Sequence, residues 1–430
     1  MTIPLRSRTV RLDPEVDPLG LAGATGFVWS APSGALAGLG AAARVPLATG
    51  AGRIERAAEA VAALLGAAEV DDPDGSGLGP VAVGALPFHA GSPGELLVPA
   101  LVVRRGPDGL AWATTTGHGP APPQAADLLA RLRSGGVRGT PGGSSGPTGG
   151  VQGTPPWPAG RRLDGRSAAL HAWRAAVASA LDEIAAGRLD KVVLAREAVV
   201  EADRPFPRAA LLRRLRAREA GTLLYASGGF LGASPELLVS RRGATAVSRP
   251  MAGTAALGAA AAAEADDLAR LADSPKEAVE HRLVVEAVAE GLAKVADRVE
   301  VGRPEVVRLT TVAHLATEVA ATLTEPLPSA LELAGLLQPT PAVAGTPRDA
   351  ALAAIAALEP FDRGRYAGPV GWVDAAGDGE WAVALRCAEL HGRRARLLAG
   401  AGIVPGSDPD AEWAETEHKL KAMLEVLLDG

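Results

Sequence analysis

The stretch Ala399-Gly-Ala-Gly-Ile-Val-Pro-Gly-Ser-Asp-Pro-Asp-Ala-Glu-Trp-Ala-Glu-Thr-Glu-His-Lys419 predicts a strand, a glycine-containing turn and the start of the last helix. Gly400 and Gly402 have no side chain, so they leave room for a ligand beside the main chain. Ser407 or Asp408 can cap the helix, and a proline follows at its first position. We therefore expect a strand that passes a ligand and leads into a capped helix.

This last helix carries two carboxylates and an amine at regular spacing. Glu412 and Glu415 are three residues apart, and Lys419 follows four residues later, so all three share one helical face. Backbone donors, carboxylates and an ammonium would then meet at one point, as a metal-assisted anion site requires. The alternative is a solvent-exposed face with an internal ion pair.

The chain of 430 residues is long enough for two or three average domains or for one large one. Apolar residues make up 47% of it, which is enough for a large core. The net charge is −6 and no basic run is present, so the composition argues against nucleic-acid binding. A small anionic substrate would need local positive charge instead.

Cys387 is the only cysteine, which excludes an internal disulfide and fits a reducing compartment. The first residues, Met1-Thr-Ile-Pro-Leu-Arg-Ser-Arg8, are not followed by the apolar segment of a signal peptide. No apolar run is long enough to cross a bilayer. We therefore expect a cytoplasmic protein that does not enter a membrane.

Residues 134–162 are rich in Gly, Pro, Ser and Thr and predict a flexible loop or linker between residues 1–133 and 163–430. Apolar periodicity predicts helices at 53–65, 167–186, 209–219, 259–272, 276–297, 329–337, 347–358 and after 408. Apolar runs predict strands within 26–47, and at 80–88, 95–104, 110–116, 191–199, 222–226, 230–248 (paired), 305–310, 312–321, 368–374, 380–390 and 394–399. Antiparallel runs of strands between blocks of helix favour an α+β fold over a doubly wound parallel sheet.

A second carboxylate pair strengthens the prediction of a metal site. Glu277 and Glu280 are three residues apart on a predicted helix, as Glu412 and Glu415 are. Two helices that each present such a pair can enclose one Mg²⁺, which prefers oxygen ligands and bridges to substrate carboxylates. One pair alone would be weak evidence for a metal site, because glutamate is common on exposed helix faces.

Two residues at the ends of apolar strands are candidates for acid–base chemistry. Lys191 begins a strongly apolar strand, where an amine loses part of its preference for the charged form and can act as a general base. The alternative is a strand-end lysine that reaches water. Glu236 stands at the entry of another apolar strand, where a carboxyl can stay protonated and donate a proton. The alternative is a solvated acid in a turn.

Three further side chains could recognise an anion. Alternation places Arg386 on one strand face with small alanines, which suggests a bidentate clamp for a carboxylate. The alternative is a buried structural ion pair. Tyr366 could orient the same anion through its hydroxyl or could simply pack. His314 lies on an apolar strand and, taken alone, is better explained as a core residue than as a ligand.

Taken together, these motifs resemble the chorismate-utilising enzymes, and most closely the isochorismate synthases of the menaquinone or siderophore type. The resemblance covers about the last 260 residues, in the blocks Asp190-Lys-Val-Val-Leu-Ala-Arg196, Ala233-Ser-Pro-Glu-Leu-Leu238, Arg249-Pro-Met-Ala-Gly-Thr254, Lys276-Glu-Ala-Val-Glu-His281, Gln338-Pro-Thr-Pro-Ala-Val-Ala-Gly345, Tyr366-Ala-Gly-Pro-Val-Gly371, Ala399-Gly-Ala-Gly-Ile-Val404 and Glu412-Trp-Ala-Glu-Thr416. It implies a single α+β domain with large antiparallel sheets and surrounding helices, like component I of anthranilate synthase. Residues 1–133 and 163–430 would then fold together.

The resemblance also implies roles for individual residues. Lys191 would activate water for attack on ring C2, and Glu236 would protonate the leaving C4 hydroxyl. The implied Mg²⁺ ligands are Glu280 and Glu415, supported by Glu277 and Glu412. The implied substrate-binding residues are Gly253, Thr254, His314, Ala342, Tyr366, Arg386, Gly402 and Lys419.

Variable positions distinguish members of that family. The family's amination enzymes usually carry Gln in place of Lys191, and aminodeoxychorismate synthases often carry Lys in place of Ala252. Salicylate and anthranilate synthases usually carry Thr where this chain has Ala342, so we expect the reaction to stop at isochorismate. Gln338 is closer to the menaquinone-branch pattern than to the siderophore-type His.

We therefore expect a magnesium-dependent isochorismate synthase whose small-molecule partner is chorismate. It would act as a monomer, without an obligatory glutaminase subunit. The alternatives are a salicylate synthase and a catalytically silent relative that binds chorismate as a regulatory protein.

Overall fold

The computed structural model describes residues 4–13, 16–21, 25–119, 157–158, 162–163, 166–257 and 261–428. The predicted linker at 134–162 lies outside the described residues except for 157–158 and 162. No helix within the described ranges is long and apolar enough to span a membrane.

The described helices are α1 (Pro18–Leu21), α2 (Arg53–Gly66), α3 (Arg166–Ala185), α4 (Arg208–Arg218), α5 (Ala261–Asp273), α6 (Pro275–Ala293), α7 (Ala330–Leu337), α8 (Arg348–Leu358) and α9 (Pro409–Leu428). The described strands are β1 (Leu5–Leu12), β2 (Phe27–Ala31), β3 (Gly34–Leu39), β4 (Ala43–Leu47), β5 (Glu69–Asp71), β6 (Val81–Ala85), β7 (Gly94–Val98), β8 (Leu101–Arg105), β9 (Ala111–His118), β10 (Arg162–Leu163), β11 (Lys191–Glu201), β12 (Leu223–Ser227), β13 (Phe230–Ser234), β14 (Leu237–Arg242), β15 (Thr245–Arg249), β16 (Met251–Ala256), β17 (Ala296–Val301), β18 (Glu305–Arg308), β19 (Val312–Ala316), β20 (Val319–Leu323), β21 (Gly345–Thr346), β22 (Pro369–Asp374), β23 (Gly379–Val383), β24 (Cys387–His391) and β25 (Arg394–Ile403).

These strands form three sheets. The largest has thirteen strands in the order β10-β11-β25-β24-β13-β12-β2-β3-β8-β9-β1-β5, with β21 also paired to β11. The second has nine strands in the order β17-β20-β15-β14-β23-β22-β6-β7-β4, and the third has three in the order β16-β19-β18. The antiparallel α+β architecture expected from the sequence is confirmed.

Strands from both sides of residues 134–162 share the two large sheets. β2 pairs with β12 in the thirteen-stranded sheet, and β6 pairs with β22 in the nine-stranded sheet. The largest core cluster lies between these sheets and includes Trp29 and Val192 from one and Val83 and Trp381 from the other. A second cluster covers the outer face of the thirteen-stranded sheet with side chains of α4 and α9, such as Leu211 and Met423.

Side-chain caps mark the starts of α6 and α9. Asp408 caps α9, because its Oδ1 accepts from the backbone N–H of Ala411 at 2.9 Å. Ser407 instead accepts from the N–H of Val404 at 3.2 Å, so it closes the preceding turn. Ser274 caps α6 by accepting from the N–H of Glu277. Helix α3 begins at Arg166 and ends at Ala185, one residue before the predicted bound at each end.

Three of the predicted strands are each two strands in the structure. Residues 95–104, 312–321 and 380–390 form β7 with β8, β19 with β20, and β23 with β24, and the two members of each couple lie in different sheets. The apolar pattern persists through the short bend, so it does not show where the chain changes sheets. The helix predicted for 276–297 ends at Ala293, and Asp297 lies on β17.

Candidate active site

One cleft collects most of the predicted site residues. It encloses about 60 Å³ between β11, β25, the small sheet, α6 and α9. The predicted residues that line it are Glu236, Gly253, Thr254, Glu280, His314, Ala342, Tyr366, Arg386, Gly402 and Lys419. Lining residues outside the predicted set are Val193, Pro235, Met251, Ala252, Val343, Leu385 and Gly400. Lys191, Glu277, Glu412 and Glu415 do not line it.

The glycines of β25, Gly400 and Gly402, allow neighbouring groups to lie close against the strand. Gly402 pairs with Val193 of β11. A Cβ at Gly402 would lie 2.7 Å from Oε1 of Glu280 and 2.9 Å from Cε of Lys191. The side chains of Lys191 and Glu280 therefore lie close against Gly402, which also lines the cleft. A Cβ at Gly400 would meet the carbonyl oxygen of Leu194 at 2.9 Å.

Lys191 and Glu280 form an ion pair beneath this cleft. Nζ of Lys191 donates to Oε1 of Glu280 at 2.7 Å, and the lysine side chain is fully buried. The alternative of a strand-end lysine that reaches water is therefore wrong. Glu280 retains 16% side-chain exposure and lines the cleft. The lysine thus contacts the cleft through its partner carboxylate.

Glu236 is a buried carboxyl group in the loop between β13 and β14. It is 2% exposed, and its backbone N–H donates to Oγ of Ser234 at 3.2 Å. Burial raises the pKa of Glu236 to about 8, against the opposing effect of Lys191 and other nearby positive charges. A protonated carboxyl group at neutral pH can donate a proton, as the strand-entry position predicted.

His314 orients Arg386. Nδ1 of His314 lies 2.9 Å from the carbonyl oxygen of Gly253, which can only accept, so the proton belongs on Nδ1. Nε2 is then an acceptor, and Nη2 of Arg386 donates to it at 3.0 Å. Burial, with the positive charges of Arg386 and Lys419, lowers the pKa of His314 to about 3. A neutral histidine therefore links the small sheet to the arginine of the cleft.

Arg386 reaches the cleft from a bend rather than from a strand. The prediction that alternation sets its direction is wrong, because Arg386 lies between β23 and β24 with φ of 48°. This left-handed conformation is uncommon for a residue with a side chain. Tyr366 lines the same cleft, and burial raises the pKa of its phenol to about 12. Its hydroxyl is therefore a donor at neutral pH.

The two acidic pairs lie on α6 and α9, which both contact β16. Oε2 of Glu277 accepts from the N–H of Thr254 at 3.0 Å, and Oε1 of Glu415 accepts from Nζ of Lys419 at 2.5 Å. Glu412 is 4% exposed. Among the described residues, no three His, Cys, Asp or Glu side chains are grouped so as to hold a metal ion. Convergence of the four carboxylates on one ion stays a prediction.

A buried ion pair that sequence reasoning missed supports the cleft. Arg363 donates to both carboxylate oxygens of Glu359, and also to the carbonyl oxygens of Val193 and Val343 at 2.8 Å each. Glu359 in turn accepts from the N–H of Ala195 at 2.7 Å. Both residues follow the end of α8 in a loop that contains Pro360, so no helical spacing signalled this pair. The pair fixes two residues that line the cleft.

A family model described as chorismate binding enzyme matches residues 154–428. The chain belongs to this family. Isochorismate synthase DhbC of Bacillus subtilis is 41% identical over 263 residues, which cover 58% of this chain and 66% of the relative. A putative isochorismate synthase MenF of Mycobacterium tuberculosis is 36% identical over 376 residues, which cover 82% and 87% of the two chains.

Solved structures of chorismate-binding enzymes show the same fold. The menaquinone-specific isochorismate synthase MenF of Escherichia coli superposes with a TM-score of 0.78 at 29% identity, covering 99% of this chain and 95% of that one. Component I of anthranilate synthase from Streptococcus pneumoniae has a TM-score of 0.65 at 21% identity, covering 98% and 93%, and shares the fold. The predicted fold and family are confirmed.

Proposed function

We propose that this chorismate-binding enzyme is an isochorismate synthase, which converts chorismate to isochorismate. The observation that carries the proposal is that the buried carboxyl of Glu236 lines the same cleft as Glu280, whose carboxylate is paired with Lys191. A proton donor and an amine beside one cleft fit a reaction in which one hydroxyl arrives as another departs.

In the proposed reaction, Lys191 in its neutral form takes a proton from water as the water oxygen bonds to ring C2. The ring double bond shifts, the C4–O bond breaks, and Glu236 gives its proton to the departing hydroxyl, which leaves as water. One water is consumed and one is released, so the substrate and product are isomers. To act in this way, the ammonium of Lys191, which lies against the Glu280 carboxylate, must first lose a proton to that carboxylate or to solvent.

The substrate's second carboxylate would be held by positively charged and neutral donors. Arg386 offers a guanidinium oriented by His314, and Tyr366 offers a hydroxyl that stays protonated at neutral pH. An arginine suits this role because its planar group binds a carboxylate through two hydrogen bonds.

We also propose that Mg²⁺ is the cofactor, held by Glu280 and Glu415, with Glu277 and Glu412 in support. All four side chains offer the carboxylate oxygens that Mg²⁺ prefers, and they would have to draw together to hold it, because no three of the described acidic side chains are grouped around one point. Bound there, the ion would neutralise the ring carboxylate of the substrate. Isothermal titration with Mg²⁺ should show binding to the wild type and not to Glu280→Gln. EDTA should abolish turnover, and metal-independent turnover would contradict the proposal.

The product assay is the decisive experiment for the function. Purified protein with chorismate and Mg²⁺ should form isochorismate without pyruvate, because Ala342 brings no hydroxyl into the cleft. Pyruvate and salicylate formed as fast as isochorismate would identify a salicylate synthase instead. Chorismate binding without turnover would indicate the silent relative.

A variant pair tests the mechanism separately from the activity. Lys191→Ala should abolish turnover, whereas Lys421→Ala, at an exposed lysine of α9, should leave it unchanged. Unchanged turnover in Lys191→Ala would refute the role of Lys191 as the general base, even if isochorismate is the product.

We further propose that the protein is a monomer and needs no glutaminase subunit. In size-exclusion chromatography, a single species of monomer size should then turn over chorismate without glutamine.

A further inference from the structure

Gln338 is a buried polar residue that the proposed reaction does not use. It directly follows α7, and it is 4% exposed. Its main chain is held on both sides, because its N–H donates to the carbonyl oxygen of Ala334 at 3.0 Å and its carbonyl oxygen accepts from the guanidinium of Arg348. The segment that Gln338 begins leads to Ala342 and Val343, which line the catalytic cleft. Gln338 thus anchors the start of one wall of the cleft.

The side chain of Gln338 joins this segment to the one that carries Tyr366. Its Nε2 donates to the carbonyl oxygen of Ala367 at 2.8 Å. A carbonyl oxygen can only accept, so the amide nitrogen is the group that faces it. Oε1 of Gln338 is buried and has no hydrogen-bond partner in the described part of the chain. The donor, rather than the acceptor, therefore links this side chain to its surroundings.

The residue that Gln338 contacts has an uncommon backbone conformation. Ala367 has φ of 62°, in the left-handed region, where the Cβ crowds the following carbonyl oxygen. Its N–H donates to the carbonyl oxygen of Ala384 at 2.8 Å, and its own carbonyl oxygen accepts from Gln338. Ala367 is fully buried, so bulk solvent does not reach it. These two hydrogen bonds hold the peptide groups on both sides of Ala367 and so keep it left-handed.

The chain after Ala367 is fixed in the nine-stranded sheet. The carbonyl oxygen of Gly368 accepts from the N–H of Ala384 at 2.8 Å, and β22 begins at the next residue, Pro369. A change of φ at Ala367 would therefore turn the part of the chain before it, which begins with Tyr366.

Tyr366 carries a hydroxyl group into the cleft. The residue is 6% exposed and lines the cleft. Its hydroxyl lies 3.3 Å from the position that a Cβ would take on Gly400, so it lies over β25. A turn of the chain at Ala367 would move this hydroxyl away from the strand.

We propose that Gln338 is a positioning residue for Tyr366. Its amide holds the carbonyl of Ala367, this keeps Ala367 left-handed, and the phenol hydroxyl is thereby held over Gly400 to meet a carboxylate of the substrate. The contact with the carboxylate rests on the proposed isochorismate synthase function, whereas the hydrogen bond that positions Tyr366 does not.

The position of Tyr366 can be measured without substrate, because the chain has two tyrosines and ¹³Cζ-labelled tyrosine therefore gives two resonances. Tyr366→Phe assigns them. Tyr225, whose hydroxyl donates to the carbonyl oxygen of Leu385 at 2.9 Å, is the internal reference. Gln338→Met keeps the length of the side chain and removes the donor, so it should move the Tyr366 resonance more than the Tyr225 resonance. An unchanged Tyr366 resonance would overturn the proposal.

Two further variants separate the lost hydrogen bond from a general disturbance. Thr340→Val is the matched control from the same segment, because the buried Oγ1 of Thr340 has no hydrogen-bond partner among the described residues, and it should leave both resonances in place. Gln338→Asn serves if Gln338→Met does not fold. Its amide is one methylene short of Ala367, so it should also move the Tyr366 resonance. A Tyr366 resonance that moves equally in Thr340→Val would overturn the proposal, as would one that stays in place in Gln338→Asn.

Chorismate affinity, measured by isothermal titration, tests the consequence for the site. Gln338→Met should weaken binding about 3- to 10-fold, the value of one hydrogen bond. In a Tyr366→Phe background the same substitution should weaken binding less than about twofold, because Gln338 acts through the missing hydroxyl. Equal losses in both backgrounds would overturn the proposal. If the wild type binds no chorismate, the proposed function fails, and the Tyr366 resonance still decides whether Gln338 positions the phenol.

Discussion

The ammonium of Lys191 lies 2.7 Å from Oε1 of Glu280, a residue 89 positions away in the chain. The lysine is the first residue of β11 and the glutamate lies on α6, so the contact joins the largest sheet to the helix. Because the lysine side chain is fully buried, its charge is compensated mainly by this carboxylate. The pair therefore makes a stability prediction that does not depend on the proposed function.

Glu280→Ala should destabilise the protein by about 3 kcal/mol, because it leaves the Lys191 ammonium buried without its partner. Urea unfolding at neutral pH measures the loss. The double variant with Lys191→Met and Glu280→Ala should recover at least half of the lost stability, because neither charge of the pair is then buried. The control is Lys421→Met, which breaks an exposed pair with Glu425 and should cost less than about 1 kcal/mol. A double variant no more stable than Glu280→Ala would contradict this account.

Glu236 should set the basic limb of the pH profile. Its pKa of about 8 means that the acid form is present below that pH and is lost above it, so kcat/KM should fall as pH rises through 8. Glu236→Gln should lower the rate by roughly 10²- to 10⁴-fold while chorismate affinity is kept. Equal loss of affinity would indicate a structural role.

The same carboxyl gives a pH-dependent stability whose sign follows from its raised pKa. The folded state retains the proton between the unfolded value of about 4.3 and the folded value of about 8, so stability should fall as pH rises through this window. Glu236→Gln should remove a slope of at most about 1.4 kcal/mol per pH unit. Urea unfolding at pH 5 and pH 8 measures it, and Glu59→Gln, at an exposed glutamate, is the control.

Gly402→Ala should impair turnover at least tenfold, because its Cβ would lie within 3 Å of both Glu280 and Lys191. The cause is crowding of the ion pair, so the variant should also lose stability. Gly66→Ala is the matched control, since a Cβ there meets nothing within 4 Å. Steady-state kinetics on both variants make the comparison. If Gly402→Ala has wild-type kinetics, the Lys191–Glu280 pair can move without an effect on turnover.

His314→Leu should raise KM for chorismate about 10-fold or more and change kcat less. The variant removes the acceptor that orients the Arg386 guanidinium, and hydrogen bonds to charged groups contribute about 1.5–3 kcal/mol. His171→Leu, at an exposed histidine of α3, should leave KM unchanged. A KM equal to that of the wild type in His314→Leu would show that Arg386 does not need this contact.

The sequence predicted most local structure well, because caps and apolar periodicity act over a few residues. Pro409 begins α9 and Asp408 caps it, and α7 and α8 have nearly the predicted bounds. The raised pKa of Glu236 followed from an acid at the entry of an apolar strand. Family motifs then indicated which distant residues share a site.

Other features of the site depend on which strands pair with one another in the sheets. The β23–β24 segment alternates as one strand, yet it changes sheets at Arg386, and only this bend turns that arginine toward His314. The direct pairing of Lys191 with Glu280 was likewise beyond the sequence. Periodicity and capping are local, so the sequence by itself determined the elements, the family and the chemical groups. Sheet pairing and burial depend on residues far apart in the chain, so only the tertiary structure decided which groups touch.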